Sequence, residues 1–169
     1  LGPIEAFTSG DDPKFDLVLF PYDIEGSIAH AQGLKKIGVL TEAELKKLVK
    51  EYGVLRAKWE AGKIVITPQD EDGHTVIEKH LIKRLGNLGK KIHTGRSRND
   101  QSLTALRLYM KARLKETGLA FAALEGAFRM KARQYRFAVM PGYTHMQRAM
   151  PSTASLWLSS FADALHDSK

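Results

Sequence analysis

The chain has 169 residues, 43% apolar and 27% charged, with no cysteine and a net charge of +7. That is material for one domain or a small domain plus part of another, and it excludes disulfides and thiolate metal sites. No apolar run approaches the ~18 residues of a membrane span, and the opening LGPIEAFTSGDD lacks the basic-then-apolar order of a secretory signal, so a cytoplasmic protein without membrane partners is expected.

Residues 1–21 read as irregular, with Gly10, Asp11, Asp12 and Pro13 as turn signals ahead of an apolar run from Phe15 to Phe20. A helix is expected from about Asp23 to Ile37, stopped by Gly38. The segment TEAE is a capping box: Thr41 caps free amides and Glu44 reaches back to the Thr41 N–H. Leu45, Leu48, Tyr52, Leu55 and Trp59 then recur at helical spacing as far as Gly62. Lys63 to Ile66 reads as a short extended piece. Thr67-Pro68 opens the next helix, with Ile77, Leu81 and Leu85 on one side and Gly86 as its stop.

Gly86, Gly89 and Gly95 read as a flexible crossing between two regions, 1–95 and 96–169. Beyond it nothing firmly stops a helix from Asn99 to Arg136. Such a helix of about 38 residues would be about 57 Å long and would need apolar partners along much of its length. Met140-Pro141-Gly142 breaks the pattern, and a last helix follows Pro151. The fold class expected is all-α, with a second region that is oligomeric or truncated.

Three stretches carry polar groups suited to chemistry. In KIHTGRSRNDQ, residues 91–101, His93, Thr94, Arg96, Ser97, Arg98 and Asn99 crowd the mouth of the longest helix. Free amides at a helix start, two guanidinium forks and short neutral donors suit a carboxylate or phosphate. Simple capping is the plainer reading, but it accounts for one residue and not six. In PGYTHMQRAMP, residues 141–151, His145 stands among Thr144, Gln147 and Arg148, as a proton-transfer or substrate-orienting group would. In DEDGHTVIEKH, residues 70–80, Asp72 and His74 share a helix start. His74 and Glu78 stand four apart, a poor metal site without further ligands, so no metal is expected. The positive charges are dispersed along helix faces, and no nucleic-acid partner is expected. An anion-binding helix mouth beside a histidine loop suits β-elimination next to a carboxylate, as one option among several.

At these residues the chain resembles the argininosuccinate lyase/δ-crystallin family of the fumarase/aspartase superfamily. The likeness runs from YDIEGSIAHAQGL through DEDGHTVIEKHL, KIHTGRSRNDQ and MPGYTHMQRA. It implies a small helical N-terminal domain followed by the first long helices of a central bundle, in a homotetramer that splits argininosuccinate into arginine and fumarate without metal or organic cofactor. It implies that Ser97, Arg98 and Asn99 bind substrate carboxylates and that Thr144 and Gln147 contact substrate. It implies too that His145 transfers a proton and that Asp72, His74 and His93 border the pocket. The family's glycine-rich third signature, GSS followed by Met-Pro, Lys and Asn, is missing, and so is the carboxylate that partners the histidine. The chain therefore reads as an N-terminal portion that cannot complete an active site alone. Ser9 or Asp12 stands near the family's early substrate-contacting serine. QRAMP in place of QRAQP and DEDGH in place of a DED-Ile-His run are smaller departures. A purely structural crystallin-like protein and a sibling such as adenylosuccinate lyase are the alternatives.

Overall fold

The computed structural model describes residues 11–70 and 72–169, so Ser9 and Glu71 lie outside the described residues. Two compact units divide the chain, Leu1–Met110 and Lys111–Lys169.

The first unit begins with α1, Asp12–Lys36. It starts well before the expected Asp23, because Asp11-Asp12-Pro13 is a helix opening as well as a turn signal: an acidic first turn with proline at its first positions. Phe20, Ile24, Ser27, Ala31 and Leu34 form its buried stripe. It ends where the sequence indicated. Gly38 takes φ +84°, Val39 N–H donates to Leu34 O at 2.9 Å and Gly38 N–H to Lys35 O at 3.1 Å, the paired bonds of a Schellman stop. Helix α2, Glu42–Glu60, opens on the expected capping box: Glu44 N–H donates to Thr41 Oγ1 at 3.2 Å, and Thr41 N–H to Glu44 Oε2 at 2.8 Å. Leu48, Tyr52 and Leu55 turn inward, and Trp59 Nε1 donates to Leu17 O at 2.7 Å, tying α2 to α1.

Residues 63–66 form no strand ladder, although Ile66 enters the core. The helix expected from Thr67-Pro68 is a single 3₁₀ turn, Pro68–Asp70. Helix α3, Gly73–Leu85, starts only after Asp72, whose side chain accepts from Thr75 N–H at 2.8 Å. The glycine-marked crossing is more ordered than expected. Residues Asn87–Lys91 form a short helix, α4, and Gly89 lies so close to α3 that a Cβ there would stand 2.5 Å from the Leu81 carbonyl carbon. Ile77, Leu81 and Ile92 complete a core shared with α1 and α2.

Helix α5, Arg98–Gln134, supplies residues to both units. In the second unit it is followed by β1, Val139–Thr144, β2, Gln147–Thr153, and α6, Ala154–Asp167. The antiparallel hairpin pairs Thr144 with Gln147 and sets Pro141 opposite Pro151. It was not foreseen, because two prolines and a tip without Asn-Gly argue against paired strands. A two-stranded ribbon is all edge, and so it tolerates them. Within this unit Phe128 stacks on Phe161 at 5.4 Å, and Glu125 gathers Arg129, His166 and Lys169. Leu114, Leu119, Met130, Leu156 and Phe137 remain exposed, more apolar surface than a solvated helix pair usually shows. Among the described residues the fold is all-α apart from this hairpin.

Candidate functional site

The polar groups of the first unit converge where α1, the start of α3 and the start of α5 meet. The loop into α5 is held from within. Ser97 caps it reciprocally: Asp100 N–H donates to Ser97 Oγ at 3.4 Å and Ser97 N–H to Asp100 Oδ2 at 2.9 Å. The plain capping reading therefore describes the Ser97 hydroxyl. Arg98 reaches back to α3, Nη1 standing 3.2 Å from Asp72 Oδ2 and Nη2 donating to Thr75 Oγ1 at 3.2 Å. The Asp72 carboxylate thus does two things, one oxygen capping α3 and the other pairing with the guanidinium. Asn99 is exposed on the first turn of α5.

Arg96 turns inward. Its Nη1 donates to Ser27 Oγ at 3.1 Å, while Nε and Nη2 are buried without a partner among the described residues. Burial lowers its pKa from the usual arginine value, with Asp23 and Glu78 opposing. His74 is 6% exposed and lies beneath the mouth. Burial, above all, pushes its pKa down; the Arg96 charge adds to this, and Asp23, Asp72 and Glu78 pull the other way. The His93 ring is 5.9 Å from the His74 ring, and His93 is exposed. Asp16 of α1 accepts from Gly73 N–H at 2.9 Å, and burial raises its carboxyl in spite of that bond.

Two hollows adjoin this cluster. One of about 70 Å³ is lined by Asp16, Asp23, Asp72, His74, Gln101 and Ser102. The other, about 250 Å³, is lined by Asp23, Gly26, His30, Arg96, Gln101 and Thr104. Between them the surfaces offer carboxylates, a guanidinium and an imidazole, the means to hold a small ligand carrying both signs of charge. His74, Glu78 and His93 bring one ligand atom each within 4.8 Å of one another, the group among the described residues best placed for a cation. The Arg96 guanidinium acts on both His74 and Glu78, and that positive charge opposes a dication there.

The remaining sequence candidates belong to the second unit. Thr144 ends β1, Gln147 begins β2, and His145 stands at the tip between them. His145 and Met146 take φ values of +49° and +60°, a left-handed pair that L side chains adopt at a cost of about 1–2 kcal/mol each. Non-glycine strain of this kind concentrates where side-chain direction matters.

Sequence reasoning missed Asp23, Ser27 and Gln101. Gln101 closed the stretch singled out at the helix mouth, yet no role was attached to it. Ser27 did leave a signal: it is the one hydroxyl on the stripe of Phe20, Ile24, Ala31 and Leu34, and a polar residue on a core stripe needs an inward partner.

A family described as lyase matches residues 6–169. An argininosuccinate lyase of Sorangium cellulosum is 50% identical over 161 residues, 95% of this chain and 37% of that protein. One from Stenotrophomonas maltophilia is 44% identical over 164 residues, 97% of this chain and 38% of that protein. The chain thus spans little more than a third of the length of these relatives. Among solved structures, a doubly substituted EDDS lyase variant with bound fumarate superposes with a TM-score of 0.78 at 25% identity, covering 98% of this chain and 33% of that one. A fumarate lyase:delta crystallin from Brucella melitensis, at 21% identity and a TM-score of 0.71, covers 90% of this chain and 39% of that one and shares the fold.

Proposed function

The chain belongs to the lyase family, and from that premise we propose that it is the N-terminal part of an enzyme that cleaves argininosuccinate to arginine and fumarate. The observation that carries this reading is the identity of up to 50% with argininosuccinate lyases across nearly the whole chain. The geometry supports it. Asp72 and the buried His74 line one small hollow and Arg96 its neighbour, next to the helix mouth that carries Ser97, Arg98 and Asn99, so charged groups are preorganised there.

The reaction removes a proton from the carbon beside one succinyl carboxylate. Its electron pair forms the double bond of fumarate as the carbon–nitrogen bond breaks, and the departing guanidino nitrogen keeps that bond's electrons and gains a proton. Negative charge gathers on the carboxylate in the transition state, where fixed N–H donors are most effective. In this reading Ser97, Arg98 and Asn99 hold the succinyl carboxylates, and Thr144 and Gln147 contact substrate. His145 moves a proton, as acid or base. Asp72, His74 and His93 border the pocket. No metal or organic cofactor is called on. Residues 1–95 would form the N-terminal helical domain and 96–169 the opening of a central bundle. Later parts of the chain and neighbouring copies, in a cytoplasmic homotetramer, would complete the site. The exposed apolar residues of α5 and α6 favour such neighbours.

The test is fumarate release from argininosuccinate by the full-length protein, followed by ultraviolet absorbance. His145→Asn should lower kcat by about 10²–10⁴-fold, the usual loss for a general acid–base group. A folded tetramer inert toward argininosuccinate defeats the reading. A crystallin-like structural role would then be favoured, or adenylosuccinate lyase if a substrate panel responds there instead.

A further inference from the structure

A buried glutamine at the start of a long helix needs polar partners, and Gln101 is 3% exposed. Its amide nitrogen donates to Asp23 Oδ1 at 3.1 Å and also meets Nδ1 of His74. The first contact settles which end of the amide is which, because a carboxylate oxygen only accepts and the atom facing it must be the NH₂. Nδ1 of His74 therefore accepts, and a neutral ring in that position carries its proton on Nε2. Asp23 is fixed in turn: Oδ1 also accepts from Ser27 Oγ at 3.2 Å, and Ser27 Oγ accepts from Arg96 Nη1 at 3.1 Å. One line of hydrogen bonds thus runs Arg96, Ser27, Asp23, Gln101, His74. At its end His74 Nε2 is buried with no partner among the described residues, Glu78 Oε2 standing 3.8 Å away and out of hydrogen-bond reach.

Asp23 Oδ2 lies 3.9 Å from His74 Nδ1. Without the amide between them, a small shift would let that carboxylate accept from a protonated Nδ1 and turn the ring into the other tautomer or an imidazolium. Gln101 prevents this by presenting a donor where the acid would present an acceptor. The charged and titratable groups around the ring are Asp72 and Glu78 at its own helix, Asp23 from α1, and Arg96 and His93 from the loop before α5. Burial and the Arg96 charge favour the neutral ring.

From this geometry we infer that Asp23 and Gln101 are positioning residues. The carboxylate aims the amide, the amide holds His74 as the neutral Nε2–H tautomer, and His74 offers substrate a hydrogen-bond donor and not a base. The inference rests on the proposed function in one respect, that His74 borders the substrate.

The experiment uses the full-length protein with nitrogen-labelled histidine, His74→Asn assigning the His74 signals, together with Gln101→Met, which removes the donors, and Gln101→Glu, which puts an acceptor in their place. Ring-nitrogen NMR should show wild-type His74 as Nε2–H and neutral near pH 7. Gln101→Met should mix the tautomers. Gln101→Glu should add a proton to Nδ1 and move the ring's titration upward. On argininosuccinate, Gln101→Met should raise KM about tenfold, the loss expected for one substrate hydrogen bond, with kcat changed less. A wild-type ring protonated on Nδ1 overturns the inference, as do ring signals unmoved by either variant; the wild-type spectrum alone decides the tautomer if a variant does not fold. Shifted ring signals with an unchanged KM overturn the donor role toward substrate. A wild-type protein that releases no fumarate overturns the proposed function instead, and the spectra still decide the hydrogen-bond chain.

Discussion

Replacing Gly89 by alanine tests how tightly α4 is seated on α3. The added Cβ would lie 2.5 Å from the Leu81 carbonyl carbon and 2.6 Å from both Ile82 N and Leu81 O. Carbon contacts settle near 3.5–4.0 Å, so the two helices must part by about 1 Å. All three obstacles are backbone atoms, which cannot rotate away as a side chain would. The packing at risk includes Leu81 and Ile92, which are 0% and 1% exposed. Overpacking a tight contact costs about 1–3 kcal/mol, and opening this one puts the variant at the upper end, about 2–3 kcal/mol. For a chain of this size that lowers Tm by about 4–12 °C. The control is Gly53→Ala, on the exposed side of α2, where a Cβ meets nothing within 4 Å. There alanine's helix preference should add about 0.5–1 kcal/mol. Calorimetric melts of the two variants beside wild type give the answer in the sign of each shift. A Gly89→Ala protein that melts with or above wild type would refute the close seating of α4.

Three further outcomes are expected. Met146→Gly should steady the hairpin by about 1 kcal/mol by removing a left-handed methionine, read as slower hydrogen exchange across β1 and β2. Tyr52→Phe should cost no more than about 1 kcal/mol in urea titration, because the buried Tyr52 hydroxyl makes no well-formed hydrogen bond and has only Ser27 acting on it; a loss well beyond that would show that the Ser27 interaction is a full bond. Glu44 is held at about 2 against an ordinary 4.5, first by Lys91 and then by the Thr41 N–H. A depressed carboxyl stabilises fully above its unfolded value and loses that contribution as pH falls from about 4.5 through about 2. Glu44→Gln should therefore flatten the acid limb of a stability–pH curve and leave its alkaline side unchanged in shape.

The features readable from sequence are those set by neighbours along the chain. Thr41 with Glu44, Gly38 and Gly62 each act within a few residues, and each sits where a helix begins or ends. The start of α1 was misplaced because Asp-Asp-Pro serves turns and helix starts alike, and only burial of the face that follows decides between them. The hairpin was hidden by Pro141, Pro151 and a His-Met tip, all of which are weak strand signals. At the helix mouth the concentration of polar residues was legible, but the division of labour was not. Ser97 and Arg98 are partly engaged by Asp100 and Asp72. The deeper links from Gln101 to Asp23 and His74 join three separate helices, and only the packed fold brings them within bonding distance.

Asp72 does more than cap a helix. Because the same carboxylate secures the first turn of α3 and the guanidinium of Arg98, charge and backbone order are coupled at that point. A ligand anion that drew Arg98 away would leave α3 with only its cap, and one that took the Thr75 amide would leave the Asp72 carboxylate to Arg98 alone. Occupancy at the mouth would thus be felt along the whole of α3, including its far end, where Gly89 presses against Leu81. That gives a way to observe ligand arrival remotely, by exchange rates at amides that no ligand touches.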